Sequence, residues 1–479
     1  MNSMELGQNV IKGLKVGAML RLAAQIFTWL NTLILIRLLT PDDYGLMAMT
    51  MAFIGIFALM GDFGIGKAII QAENLTTTQL RQAFTINIVS CLVFFSFFFS
   101  IAPVIASFFD EPRVTILVQA VACQHLIMVF HTLPYAMASR KMLFKEREKV
   151  QFYTALMTSV VTIAMAASGL DVWSLILGHL FMRLALAIGY SLIAPCWVLP
   201  ALNFKGFSRM AGFSGIATVN DVLRYFVNVF GNISIGRLLT KADLGVFSVA
   251  RNLANLPSDK IGELLNHLGL SSFAKLQNER AVAGQYLYKS VQLASLVLFP
   301  MYLGMCAISP ELITLVLSDK WAAAIVPFQI LCLTSPFRML SEMMATGITA
   351  IGEPGKNSRT LLLTILTLPI FFYGIQYGVE GACWAWLSIN LISFAFHLKL
   401  ILPAFALKTS SFLGALLPSL CSSITMLVGL LLLREQLTGQ VHEAAQLFLM
   451  ILAGVLVFSV TQLLLFRRQL FTTLKYLRH

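Results

Sequence analysis

The run from Ala83 to Phe109, AFTINIVSCLVFFSFFFSIAPVIASFF, holds 27 residues without one charged side chain, and Arg81 and Asp110 bracket it. About 20 apolar residues suffice to cross roughly 30 Å of hydrocarbon as a helix, because such a helix satisfies its own backbone hydrogen bonds. The run is therefore read as a membrane span. Runs of the same kind recur on both sides of it. The whole set covers approximately 14 to 38, 44 to 66, 83 to 109, 114 to 137, 150 to 170, 173 to 194 and 211 to 239, then 244 to 270, 288 to 317, 322 to 351, 360 to 378, 381 to 402, 411 to 433 and 444 to 466. The expectation is an all-α integral membrane protein of about fourteen transmembrane helices.

Composition agrees. Apolar residues make up 58% of the 479 and charged residues 12%, about half the charge of an ordinary soluble domain. Thr40-Pro41-Asp42-Asp43, Asp110-Glu111-Pro112-Arg113, Ser318-Asp319-Lys320-Trp321 and Gly352-Glu353-Pro354-Gly355 punctuate the runs as short turns. No small-residue cleavage site follows the first span, so it is expected to remain as a membrane anchor.

Orientation follows from the bases, since cytoplasmic loops hold the Lys and Arg excess. An inside N-terminus allots 22 bases to the inner loops, Arg140, Lys141, Lys145, Arg147 and Lys149 among them, and 6 to the outer ones: Arg37, Arg113, Arg237, Lys241, Lys320 and Arg434. Both termini are expected in the cytoplasm. This asymmetry accounts for the net charge of +12 without nucleic acid. The seven cysteines lie in or beside apolar spans with no Cys-x-x-Cys pair, and no histidines pair at metal-ligand spacing, so neither metal nor disulfide framework is indicated.

Arg37-Leu38-Leu39-Thr40-Pro41-Asp42-Asp43-Tyr44-Gly45 recurs as Arg237-Leu238-Leu239-Thr240-Lys241-Ala242-Asp243-Leu244-Gly245, six identities in nine positions at a spacing of 200. Six spans fit that spacing, and an even number leaves both halves in the same orientation. Arg21, Gln25, Thr28 and Thr32 fall on one face of the first span. Asp221, Tyr225, Asn228 and Asn232 occupy the same positions plus 200 on the seventh. The expected domains are a six-helix lobe over 1–200, a second over 201–402, and two additional helices with a cytoplasmic tail over 403–479.

Charge at mid-bilayer is costly and normally faces a partner or a watery cavity. The seventh span carries Ser214, Thr218, Asp221, Arg224, Asn228 and Asn232 at spacings of three or four. The eighth carries Arg251, Asn255, Ser258, Gly262 and Asn266 on one face, and Lys260, Glu263 and His267 on another. These stripes are expected to line a polar, slightly cationic cavity between the lobes. The competing reading is that Asp221 with Arg224, and Lys260 with Glu263, neutralise each other and glue helices. The second span ends in Gly61-Asp62-Phe63-Gly64-Ile65-Gly66-Lys67, whose glycines permit a bent helix end. Ala68 stands where a phosphate-binding loop needs Ser or Thr, which argues against ATP. The candidate cavity residues are Arg21, Gln25, Asn31, Asp62, Lys67, Asp221, Arg224, Asn228, Asn232, Arg251, Asn255, Asp259, Lys260 and Glu263. No catalytic residue, metal ligand or cofactor is expected.

Several strings together resemble the polysaccharide transporter family, the oligosaccharide flippases of the multidrug/oligosaccharidyl-lipid/polysaccharide exporter superfamily. They are Arg37 to Leu46, Asp62-Phe63-Gly64-Ile65 leading to Ala68-Ile69-Ile70-Gln71, Phe144-Lys145, Ile235-Gly236-Arg237-Leu238-Leu239, Pro310-Glu311-Leu312 and Lys320-Trp321. The subgroup resembled includes the colanic acid and teichuronic acid exporters. The resemblance implies two six-helix lobes, two additional helices and alternating access. Its implied cargo is an undecaprenyl-pyrophosphate-linked sugar repeat moved from the cytoplasmic to the periplasmic face of a bacterial inner membrane. Gly231 stands where relatives often carry an Asp, which leaves Asp221, Asp259 and Glu263 as candidates for proton or sodium coupling. A polysaccharide polymerase complex and membrane lipids are the other expected partners.

On this reading Arg21, Arg224, Arg251 and Lys260 hold the pyrophosphate, while Gln25, Asn228, Asn232 and Asn255 meet the sugars. A drug antiporter of the same superfamily would instead place acids in the majority in the cavity. A membrane sugar polymerase or ligase would need a long polar outer loop, and the outer loops here are short.

Overall fold

The computed structural model describes the chain except residues 1–2, 62–65, 67–68, 71, 73–74, 202–214, 276–278 and 468–479. Its side-chain description further excludes 3–16, 18, 56–61, 215–219, 221 and 259–275. The described residues form helices and no strand. In chain order the long ones are α1 (Ser3–Leu38), α2 (Pro41–Gly61), α3 (Thr77–Phe109), α4 (Arg113–Arg140, broken by a turn at Cys123), α5 (Phe144–Ala167) and α6 (Val172–Ile193). They continue as α7 (Gly215–Leu238), α8 (Lys241–Lys275), α9 (Arg280–Ala307), α10 (Ile325–Ala350), α11 (Pro354–Ile375, broken at Leu368), α12 (Gly378–Leu400), α13 (Thr409–Leu437) and α14 (Glu443–Leu465).

Among the described residues eleven of these segments are long and apolar enough to cross a membrane, and α2, α7 and α8 are not in that set. The last side chains of α2 lie outside the description. So do side chains 215–219 and 221 of α7 and 259–275 of α8, while Arg224, Asn228 and Asn232 on α7 and Arg251 and Asn255 on α8 are polar positions among the described ones. Large apolar side chains project freely from the bundle elsewhere, Leu192 and Leu464 at more than three-quarters exposure. In water that surface would drive aggregation, whereas a bilayer solvates it. The chain is a multi-pass membrane protein.

Two compact units divide it, Met1–Gly215 and Ile216–His479. In the first, α1 lies along α5, α2 meets the first half of α4, α3 lies along α4, and both α4 and α5 pack on α6. In the second, α8 meets α10, α9 lies along α10, and both α10 and α11 pack on α12. Here α7 reaches α11 through the edge-to-face pair Phe230 and Phe371, 5.8 Å apart, and the Ser358 hydroxyl, which donates to the Asn220 amide oxygen at 2.7 Å. Helices one to six and seven to twelve thus share one neighbour pattern. The last two, α13 and α14, pack on each other, and α13 runs along α9.

The repeated nine-residue string has a local cause. Thr40 and Thr240 stand just before α2 and α8. The Thr40 backbone N–H and hydroxyl donate to the Asp43 carboxylate at 2.9 and 2.6 Å, and the Asp43 N–H returns to the Thr40 hydroxyl at 3.4 Å. Thr240 and Asp243 repeat this at 3.1, 2.7 and 3.2 Å. Each is a capping box, satisfying helix N–H groups that have no partner inside the helix. The same device starts α3, where Thr76 and Gln79 exchange bonds of 3.0 and 3.2 Å.

Close helix contacts rest on small residues. A Cβ on Gly178 of α6 would collide with the Thr162 methyl of α5. A Cβ on Gly374 of α11 or Gly381 of α12 would strike the other's carbonyl oxygen. Fully buried aromatics fill the second unit, with Tyr302, Trp321, Phe328, Phe371, Phe405 and Phe412 all at or near zero exposure. Trp321 gives the Lys320-Trp321 motif a packing role. Glu311 of the Pro310-Glu311-Leu312 motif is buried, paired with Arg434 of α13 at 2.7 Å and accepting from Gln446 of α14 at 2.9 Å.

Candidate functional site

The second unit holds a polar cavity of about 80 Å³ among α7, α10, α11 and α12. Arg224 and Asn228 reach it from α7, Arg338, Ser341 and Glu342 from α10, Asn357 and Thr364 from α11, and Trp386, Asn390, Ser393 and His397 from α12. The spacing of 224 and 228 puts that pair on one face of α7, and 338, 341, 342 and 345 form one face of α10.

Arg338 organises one side. Its guanidinium donates to Glu342, one turn along the same helix, at 2.8 Å and to the Asn255 amide oxygen of α8 at 2.9 Å. Arg251 of α8 lies within electrostatic reach of Arg338 and donates to Asn232 of α7 at 3.4 Å. Its guanidinium carbon stands 5.5 Å from the Trp386 ring centroid and 6.0 Å from that of Phe247, so both ring faces offer partial negative charge. On the other side Thr364 and Ser393 exchange a hydroxyl bond of 2.8 Å, and the His397 ring contacts the Ser393 carbonyl at 2.8 Å. The Ser341 hydroxyl is buried without a hydrogen-bond partner. Among the described residues Arg224, Arg251 and Arg338 stand with one carboxylate, Glu342, so the described part of this wall carries more bases than acids and is rich in amides and hydroxyls. Such a surface suits an anion with hydroxylated groups attached.

In the first unit Arg21 is paired with Glu148 of α5 through bonds of 2.7 and 3.3 Å. The Asn31 amide oxygen accepts from the Thr162 hydroxyl of α5 at 2.9 Å. Gln25 is half-buried. The Thr28 and Thr32 hydroxyls return to carbonyls one turn back. A separate polar group lies between α4 and α6: the Arg183 Nε is buried without a partner, with His125, His131 and His179 in its electrostatic reach. His179 contacts the Gln124 side-chain oxygen at 3.0 Å.

The structure therefore brings Arg224, Asn228, Asn232, Arg251 and Asn255 together, and it places Arg21, Gln25 and Asn31 in the other unit. Asp62 and Lys67 lie outside the described residues, as do the side chains of Asp221, Asp259, Lys260 and Glu263. Arg338, Glu342, Asn357, Trp386 and His397 were not among the sequence candidates. For Arg338 and Glu342 a signal existed, since an Arg and a Glu four apart inside an apolar run raise the same question as Asp221 and Arg224. Among the described residues no cluster of His, Cys, Asp or Glu could hold a metal ion.

Known proteins share this architecture. The lipid II flippase MurJ in an inward closed conformation superposes with a TM-score of 0.72 at 14% identity, over 95% of this chain and 99% of that one. At that identity the likeness concerns the fold. The succinoglycan biosynthesis transport protein ExoT of Rhizobium meliloti is 22% identical over 89% of this chain and 86% of its own. The teichuronic acid biosynthesis protein TuaB of Bacillus subtilis is 24% identical over 72% and 74%. With residues 34–326, more than half of its length, matching the family described as polysaccharide biosynthesis protein, the chain belongs to that family.

Proposed function

We propose that this protein is a flippase for undecaprenyl-pyrophosphate-linked oligosaccharide repeats, working by alternating access between the cytoplasmic and periplasmic faces of a bacterial inner membrane in surface polysaccharide synthesis. The observation that carries the proposal is the wall formed by Arg224, Arg251, Arg338 and their amide and hydroxyl neighbours, in which bases outnumber acids among the described residues. Family membership and the transport and flippase names of its relatives support it.

A pyrophosphate leaving water needs charged donors, and guanidinium forks match its oxygens. Sugar hydroxyls stripped of water without partners cost several kcal/mol, on the order of 2 to 7 per group. The reading therefore assigns phosphate contacts to Arg21, Arg224, Arg251, Lys260 and, from the structure, Arg338. It assigns sugar contacts to Gln25, Asn228, Asn232 and Asn255, and leaves the polyprenyl tail in lipid. Residues 1–200 and 201–402 act as the two lobes and 403–479 as the additional pair, with both termini in the cytoplasm. The protein is a transporter rather than an enzyme. Two negative charges moving outward across 100 mV, negative inside, gain about 4.6 kcal/mol, so the membrane potential favours export.

The test is deletion of the gene in its host, with mass spectrometry of the lipid-extracted carriers and measurement of surface polymer. Complete sugar repeats should accumulate on the inner leaflet while surface polymer is lost. Unchanged carriers with normal polymer, in a strain shown to hold no second flippase, would reject the reading in favour of a small-molecule antiporter.

A further inference from the structure

A trough of about 770 Å³ runs between α4 and α6 in the first unit. It lies within the roughly 300 to 1,000 Å³ of pockets that take small organic ligands. Its walls are apolar: Leu126, Ile127 and Phe130 on α4, and Leu184, Ile188 and Leu192 at every fourth residue of α6. A second cavity of about 400 Å³ adjoins it, sharing Phe130, Ser191 and Trp197. The trough is open. Phe130, Ile188 and Leu192 are each more than half exposed, and Trp197 at its end is 80% exposed.

Bases stand at the Trp197 end. There the Arg81 Nε donates to the Leu199 carbonyl at 3.0 Å, and exposed Lys141 acts electrostatically on Cys196, whose thiol burial pushes upward. Among the described residues the nearby acids are matched, Glu146 with Lys149 at 3.1 Å and Glu148 with Arg21 at 2.7 Å. This end belongs to the most basic loop of the chain. Trp197 beside it is a residue type that settles at the membrane–water boundary. An apolar channel that ends at Lys141 and Arg81, neither hydrogen-bonded to a carboxylate among the described residues, and at an interfacial tryptophan complements a chain with an anionic head, and basic recesses between helices at the cytoplasmic face select anionic lipids.

We propose that this trough is a binding site for an anionic phospholipid of the surrounding membrane, one acyl chain lying between α4 and α6 and the phosphate at Lys141 and Arg81. It shares no lining residue with the cavity of the second unit and does not depend on the flippase reading. The full-length protein would be released for native mass spectrometry from nanodiscs holding equal phosphatidylglycerol and phosphatidylethanolamine. Phosphatidylglycerol should be retained about fivefold over phosphatidylethanolamine. Lys141→Gln should bring the ratio close to parity, and Ile188→Trp, which fills the trough from its exposed wall, should remove both lipids. Equal retention of the two lipids by the wild type, or unchanged retention in both variants, would overturn the proposal. So would displacement of phosphatidylglycerol by an equal amount of undecaprenyl phosphate, which would assign the trough to the carrier's tail.

Discussion

Arg338 of α10 donates to the Asn255 amide oxygen of α8 at 2.9 Å, and this bond fixes the direction of a guanidinium on the polar wall of the second unit. Glu342 shares the same guanidinium at 2.8 Å but is 41% exposed, so its charge is partly screened by its surroundings. The pair leaves Arg251, held by Asn232 and two aromatic faces, as a second cation with no described carboxylate hydrogen-bonded to it. Asparagines read from the sequence as sugar contacts thus also aim the arginines.

The first prediction concerns that aim. Arg338→Gln keeps a partner for Asn255 and removes the charge. If the guanidinium holds a phosphate, export at equal membrane content should fall about 10- to 100-fold, the worth of one charge-assisted hydrogen bond. Arg338→Lys keeps the charge without the planar fork and should fall between. Surface polymer per cell, normalised to immunoblotted protein, is the readout, and wild-type export by Arg338→Gln would remove Arg338 from the transport path.

The repeated capping boxes make a second, purely structural prediction. Thr40→Ala and Thr240→Ala remove equivalent bonds, so each should cost about 1 kcal/mol. The two boxes share no partner, and the double variant should show the sum. Thermal unfolding of the detergent-solubilised protein measures this. A large cost at one site with none at the other would mean that the string at 237–245 does not do what the string at 37–45 does.

Much of the fold could be read from sequence because lipid imposes a single rule: each crossing needs a long apolar helix. The repeat was readable because a capping box needs Thr and Asp three apart, whatever packs around it. The site was readable only in part. The stripes on α7 and α8 named Arg224, Asn228, Asn232, Arg251 and Asn255 as polar residues needing partners, but Arg338, the partner of Asn255, comes from α10, 83 residues away, and Trp386, the partner of Arg251, from α12, farther still along the chain. Nothing local announces that Glu148, 127 residues on, is the partner of Arg21. Such pairings are properties of helix neighbours rather than of any one helix.

A third prediction follows from Glu311, which the sequence offered only as part of a motif. Its buried carboxylate holds Arg434 of α13 and Gln446 of α14, and so ties the last helices to the turn after α9. Glu311→Ala leaves Arg434 without its anion and should cost about 3 kcal/mol, whereas Glu311→Gln, which keeps an acceptor, should cost less. Arg434→Met with Glu311→Leu should recover much of the loss, since an apolar pair carries no desolvation penalty. The relevant comparison is the unfolding midpoint of the three variants in one detergent. Equal midpoints for wild type and Glu311→Ala would show that the ion pair contributes nothing to holding α13 and α14.

The last prediction concerns acid. Glu353, just before α11, meets Lys356 at 2.6 Å and Arg280 of α9 at 2.6 Å. The Lys356 ammonium, with Arg280 adding to it, holds the Glu353 carboxyl below its ordinary value of 4.5. The folded protein therefore binds this proton less readily than the unfolded chain. The resulting stability is fully present above the ordinary value and is lost as pH falls through the depressed one. Glu353→Gln cannot gain or lose that proton. Its unfolding midpoint should lie below the wild type's near neutrality, and the gap should close as the pH is brought below 4.5. Exposed pairs are weak and screened by salt, so the measurement belongs in low-salt buffer. A constant gap across the whole range would mean that Glu353 acts through packing or helix capping, and that its charge does not link α9 to α11.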